Sequence, residues 1–459
     1  MKSITQNYVN DKNVNSSILN FFKTYRISSV LKSSNAYKQK GVPVVALFQY
    51  LFTLIFLNRS MYMNMLTGKH TEGFAKDTIY RFLNSVSINW MRFTSLLSAA
   101  IVSTTIGKLT DENRVNVLIL DDTMFERNSS KKVELLSKIY DHAKKSYKYG
   151  FRLLTLGWSD GNTFLPVNSC LLSTENKKNR IVEAKHLDKR TAGYSRRCLA
   201  QTKATSVMLE LIDQARNVRI PASYVLFDTW FCFPASIIQI KKRALDVIAM
   251  VKKTPKMHFL YNGKMQSITE IYKQNKKRRG RSKYLLSVEV TVVKDDESVP
   301  ARIIYVRNKN KKKDYLALIT TDMTISEEEI IRIYGKRWDI EVFFKICKSY
   351  LKLGKECNSL SYDAMTAHAA VVFTRYMMLA VESRQSLDSR TLGEIFYLLT
   401  DELTDINWIQ AFHMLMQLFI DTFSNKIMLT IEQIDKLMDA FLLALPYGLR
   451  ERLSLCAKN

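Results

Sequence analysis

Leu118-Ile119-Leu120-Asp121-Asp122-Thr123 and, much farther along, Val225-Leu226-Phe227-Asp228-Thr229-Trp230 share one design, a short apolar run that ends on an aspartate. An acid directly after a buried run is costly unless it is solvated, paired or metal-bound. Ligand sites in α/β sheets gather at the C-terminal ends of strands, so Asp121 and Asp228 can converge on one cation. Taken singly, each reads first as a loop-opening aspartate. The sequence around them supports a sheet. Val115 to Leu120, Phe151 to Trp158 and Thr163 to Leu172 read as strands, with Asp160-Gly161-Asn162 as a hairpin turn. Lys203 to Arg216 has helical periodicity, Tyr224 to Phe227 is a strand, Ala235 to Ala244 a helix and Asp246 to Val251 a further strand. Three strands, helix, strand, helix, strand is an α/β mixed-sheet order.

The flanks differ from this core. Residues 1–114 read as helical, with apolar stretches at 44–57 and 91–102. Within them Lys76 to Leu83, with Asp77 as a candidate N-cap, is either a DNA-reading helix or an ordinary surface helix. The core's first part spans 115–251. Residues 252–320 read as a β-rich insertion with a Tyr284 to Val290 strand between two basic runs. These are Lys276-Lys277-Arg278-Arg279-Gly280-Arg281 and Arg307 to Lys313, the latter including Lys311, Lys312 and Lys313. Such runs are solvated loops or a phosphate-tracking surface. Asp141-His142-Ala143-Lys144-Lys145, with Tyr147, Lys148 and Gly150, reads either as a DNA contact near the site or as a solvated loop. Residues 321–382 return to the core, and 383–459 read as wholly helical.

Composition narrows the function classes. The chain has 459 residues, 47% of them apolar, enough for a sizeable core. Its 69 Lys+Arg against 43 Asp+Glu leave a formal charge of +26, which favours polyanions and nucleic acid first; an anionic membrane surface or solubility would use the same excess. The six cysteines are scattered without a C-x-x-C pair, excluding a zinc ribbon or disulfide scaffold and fitting a reducing compartment. The first residues, MKSITQNYVNDKN, are polar where a signal peptide would be apolar. Val44 to Leu57 falls short of the roughly 18 residues that span a bilayer and reads as a buried helix, so no membrane partner is expected. No P-loop, dinucleotide or H-E-x-x-H motif occurs, so no nucleotide cofactor is expected.

The third acid comes from Tyr334-Gly335-Lys336-Arg337-Trp338-Asp339-Ile340-Glu341-Val342-Phe343-Phe344-Lys345-Ile346-Cys347-Lys348. Ser326 and Glu329 form a capping box that starts a helix near Glu327. On a helix Arg337, Glu341 and Lys348 share one face with Tyr334 a turn earlier, and Trp338, Val342, Ile346 and the neighbouring aromatics form the other, apolar face. An i,i+4 surface ion pair explains Arg337 and Glu341 equally well. The spacing Y-(2)-R-(3)-E-(6)-K, downstream of both aspartates, resembles the signature of the insertion-sequence transposases of the IS4 group.

That resemblance implies an RNase H-like catalytic core and a DDE triad of Asp121, Asp228 and Glu341, with Asp122 as the alternative to Asp121. It further implies binding to double-stranded DNA at the element's inverted-repeat ends and at the target, cut-and-paste strand transfer, a homodimer in the synaptic complex, and a bacterial, cytoplasmic, nucleoid-associated protein. Three carboxylates suit two Mg²⁺ or Mn²⁺ ions for in-line phosphoryl displacement, first by water and then by the liberated 3′-hydroxyl. Arg337 and Lys348 would hold phosphates, and Tyr334 would stack or contact a phosphate. In family members that form hairpin ends an aromatic residue of the insertion helps. This insertion has no Trp, leaving Tyr261, Tyr272 or Tyr284.

Overall fold

The computed structural model describes residues 17–57, 60–66, 73–110, 114–141, 145–279, 282–308 and 314–385, with a few positions between 430 and 440. Arg281, Lys311, Lys312, Lys313, residues 142–144 and nearly all of the C-terminal region expected to be helical lie outside them.

Among the described residues, six α-helices precede the sheet: α1 (Ser17–Thr24), α2 (Ile27–Ser33), α3 (Val44–Thr53), α4 (Met61–Leu66), α5 (Lys76–Leu83) and α6 (Trp90–Thr104). Their apolar positions meet in an aromatic core in which Phe48 touches Phe22, Trp90 and Phe93. Asp77 is not the cap of α5. The helix begins at Lys76 with Ala75 before it, and Asp77 sits in the first turn, where its charge suits the helix dipole.

The sheet elements are β1 (Val117–Glu126), β2 (Ser137–Asp141), β3 (Ser146–Ser159) and β4 (Phe164–Leu172), then helices α7 (Ala192–Ala200) and α8 (Ala204–Asn217), β5 (Tyr224–Phe227), α9 (Pro234–Lys241) and β6 (Asp246–Val251). β3 pairs antiparallel with both β1 and β4, whereas β5 runs parallel to β1 and β6 parallel to β5. This gives the expected mixed α/β core, consistent with an RNase H-like fold. The Asp160 turn forms as read: its Oδ1 accepts from the backbone N–H groups of Asn162 and Thr163, and Gly161 takes φ +93°.

The insertion does not stand apart. Its elements are β7 (Phe259–Tyr261), β8 (Lys264–Gln266), α10 (Ile268–Gln274), β9 (Tyr284–Lys294), β10 (Glu297–Arg307) and β11 (Tyr315–Thr320). β11 pairs antiparallel with β6, so core and insertion form one eleven-stranded sheet. Helices α11 (Glu327–Gly335), α12 (Trp338–Ser349) and α13 (Tyr362–Gln385) follow. Ser326 caps α11 by accepting from the Glu329 N–H, but the Glu329 carboxylate turns to Arg332 instead of closing the box.

Among the described residues, Tyr362–Arg384 is long and apolar enough to cross a membrane, and its apolar window is 94% buried within the protein. Its environment is protein: α13 packs against α3, α6 and β4. Arg375 on α13 is fully buried, bonded to Glu356 and to the carbonyls of Leu51 and Phe52. It ties the N-terminal helices to the core.

His368, on the same helix, accepts a hydrogen bond at Nε2 from the Gly354 N–H. Burial, against the opposing pull of Glu356, holds its pKa down at about 4. The unfolded chain takes up this proton near pH 6.5 and the folded chain only near 4. Stability is therefore full above about 6.5 and falls as the pH drops toward 4, by up to roughly 3 kcal/mol from this group. Urea unfolding between pH 7 and 5 should show that slope in the wild type and a shallower one in His368→Gln; equal slopes would refute it.

Candidate active site

Both aspartates stand where the sheet opens. β1 does not end at Asp121 as expected; it continues to Glu126 along β3. Its parallel partner β5 matches it only through Ile119, opposite Leu226, and stops at Phe227. Beyond that point β1 and β5 are no longer paired, with Asp121 on β1 and Asp228 directly after β5.

Alternation along β1 sends Asp121 and Asp122 to opposite faces. Asp121 Oδ2 accepts from Arg337 Nη1 at 3.1 Å, while its Oδ1 accepts from the Asp122 N–H at 2.8 Å. The other arm of the Arg337 guanidinium is paired with Glu341. Asp122 instead accepts from Arg152 Nη2 at 2.8 Å. Asp121, Arg337 and Glu341 thus form a chain in which one cation serves two acids. Burial above all, then the fields of Asp228 and Asp122, push the Asp121 carboxyl up to about 7 against the lowering influence of the Asp122 N–H and Arg337. Asp228 accepts from the Trp230 N–H at 2.8 Å.

The signature is carried by two helices, not one. α11 ends with Tyr334 in its last turn, and Lys336 and Arg337 form a tight turn before α12 begins at Trp338. Helical backbone at both turn residues keeps Arg337 one turn from Glu341. The apolar face is also rotated from expectation: Ile340, Phe343, Phe344, Ile346 and Cys347 are buried, while Trp338 and Val342 are 61% and 41% exposed. Turning α12 to aim Glu341 at β1 lifts Trp338 into solvent. At the far end of α12, Lys348 Nζ donates to Thr123 Oγ1 at 2.6 Å. The Tyr334 hydroxyl is buried with no hydrogen-bond partner among the described residues. Burial and the nearby Asp228 raise its pKa against Arg337.

The donor set is oxygen-rich and already shares a cation, which suits a hard divalent ion. As the side chains lie, with Arg337 seated between Asp121 and Glu341, no three His, Cys, Asp or Glu residues among those described are gathered closely enough to hold one. The family description DDE superfamily endonuclease matches residues 49–310, more than half of the chain.

The chain belongs to the DDE superfamily endonucleases.

Membership implies a DNA-acting nuclease domain and metal-dependent phosphoryl transfer. The matched span contains Asp121 and Asp228 and stops before Glu341. No curated protein matches the chain.

Among the described residues of this DDE endonuclease's insertion, the first basic run contacts the insertion's own rings. Arg278 lies 4.3 Å over the Tyr284 ring and Lys277 4.6 Å over Tyr272, with Lys276 and Arg279 exposed beside them. The three candidate tyrosines are engaged within the insertion: Tyr272 stacks on Tyr315 at 4.2 Å, the Tyr261 hydroxyl donates to Asn275, and Tyr284 is buried. Sequence reasoning missed Trp230, 48% exposed beside Asp228, and the cations Arg152 and Lys252 within 6 Å of its ring. An aromatic two residues after the acid was the available signal for Trp230. Arg152 had none, because its partner is set by cross-strand register.

Proposed function

We propose that this DDE endonuclease is a transposase of the IS4 group that binds the inverted-repeat ends of its element, cleaves them and joins them to target DNA. The observation that carries the reading is Arg337 held between Asp121 and Glu341 at the signature's own spacing. Asp121, Asp228 and Glu341 would hold two Mg²⁺ or Mn²⁺ ions, which supply Lewis acidity for the attacking and leaving oxygens. Asp121 is favoured over Asp122 because it shares Arg337 with Glu341, while Asp122 is committed to Arg152. Arg337 offers a planar fork that suits the reacting phosphate, Lys348 a point charge farther along β1, and the Tyr334 hydroxyl a donor for a phosphate oxygen.

The helical region 1–114, the core parts 115–251 and 321–382, the insertion 252–320 and the region 383–459 are the proposed divisions. A homodimeric synapse and a nucleoid-associated bacterial setting follow from the same reading. Incubating the protein with Mg²⁺, a duplex ending in the element's repeat, and a target plasmid tests it. End-joined products are expected; nicking without joining would reduce the protein to a hydrolytic nuclease.

The basic runs supply an independent check. If Lys276, Lys277, Arg278, Arg279 and Arg281, with Lys311, Lys312 and Lys313, follow the DNA backbone, neutralising them should weaken binding. It should also flatten the salt dependence by about 0.9 in log–log slope per lost phosphate contact. An unchanged slope in a salt titration would make them solvated loops.

A further inference from the structure

Residues directly opposite each other in an antiparallel pair point to the same face, and alternate residues along a strand share it. Asp121 faces Thr155, Thr123 faces Leu153 and Phe125 faces Phe151. Continuing along β3 by twos, Tyr149 and Tyr147 fall on that same face of the sheet. Opposite them on β2 stand Lys138 and Tyr140. α12 covers this face at Asp121 and Thr123. The Arg127 guanidinium, bonded to the carbonyls of Gly354 and Cys357, covers it at Phe125.

Beyond that cover the face emerges into solvent. Tyr140, Tyr147 and Tyr149 are 37%, 60% and 41% exposed. Tyr140 and Tyr147 meet edge to face at 5.2 Å, and Lys138 Nζ lies 4.6 Å over the Tyr147 ring. Lys145 adds an exposed charge at the turn. The hairpin is fixed to β1, since the Tyr149 N–H donates to Asn128 Oδ1 and its carbonyl accepts from the Arg127 N–H.

We propose that this β2–β3 hairpin face binds an unpaired stretch of the DNA whose reacting phosphate lies at Asp121, with Tyr140, Tyr147 and Tyr149 as stacking platforms and Lys138 and Lys145 as backbone contacts. Three ring faces interleaved with lysines suit successive exposed bases and an anionic backbone, which is the arrangement of single-strand binding surfaces. In a duplex the base faces are stacked on one another, so these rings would gain little from paired DNA. Tyr149 lies six steps along β3 from Thr155, opposite Asp121, a reach of roughly 20 Å that a few nucleotides cover. The assignment rests on DNA being the substrate.

The test compares affinity for a blunt duplex with that for the same duplex carrying a short single-stranded oligothymidine overhang. Wild-type protein should prefer the overhang by about tenfold or more, at the lower end of base-on-aromatic stacking. The triple variant Tyr140→Ala/Tyr147→Ala/Tyr149→Ala should lose that preference, and the corresponding triple Phe variant should keep it. Equal overhang preference in the wild type and the Ala variant would overturn the inference. So would a variant whose only change, by light scattering, is in self-association, which would make the face a protein contact. Mg²⁺-dependent cleavage of the blunt duplex by wild-type protein, run alongside, reports on the nuclease reading separately: cleavage without overhang preference sinks only the hairpin.

Discussion

Glu341→Gln should abolish metal-dependent strand cleavage, by roughly a thousandfold or more, while affinity for duplex DNA stays within about threefold of wild type. The substitution keeps the shape of the side chain and removes only its charge. The amide oxygen that replaces the carboxylate can still accept from Arg337, so α12 should stay docked on β1 and thermal unfolding should move little. What is lost is an anionic oxygen beside Asp121. DNA affinity comes mainly from basic surface reading phosphates elsewhere and does not depend on this acid. Asp228→Asn should behave in the same way. Cleavage by Glu341→Gln at the wild-type rate would remove Glu341 from the triad and return Arg337–Glu341 to a plain i,i+4 surface pair.

The parts of this site that were legible in the sequence are those with local signals. Apolar runs before Asp121 and Asp228 marked both as strand-associated acids, and the spacing of Arg337 and Glu341 foretold their contact. The Ser326 cap and the Asp160 turn were legible for the same reason, since each is closed within four residues. Long-range register was not legible. That β1 continues through Asp121 depends on β3 lying beside it for ten residues, and that Asp122 meets Arg152 depends on the same pairing. The exposure of Trp338 follows from how α12 is rolled on the sheet; periodicity placed Ile346 and the neighbouring aromatics on the buried side correctly but put Trp338 and Val342 there too. The insertion read as a separate β-rich unit because nothing local in Tyr315 to Thr320 announces that it pairs with β6.

Arg337→Ala separates positioning of the reacting phosphate from holding of the acids. Its guanidinium reaches Asp121 and Glu341 together and is 17% exposed, so a phosphate oxygen has access to it from solvent. A donor aimed at charge that grows during reaction contributes more to the rate than to binding. Arg337→Ala is therefore expected to lower kcat by roughly a hundred- to a thousandfold with only a small rise in KM for DNA. Arg337→Lys should recover little, because an ammonium cannot span two acceptors as the planar fork does. If Arg337 served only to pair Asp121 with Glu341 structurally, Lys would restore much of the rate by neutralising one of them, and the Ala variant's deficit would track its loss of thermal stability. Single-turnover cleavage and unfolding measured on both variants distinguish these cases: a deficit without destabilisation, unrescued by Lys, places Arg337 on the reacting phosphate, and rescue by Lys removes it from that role.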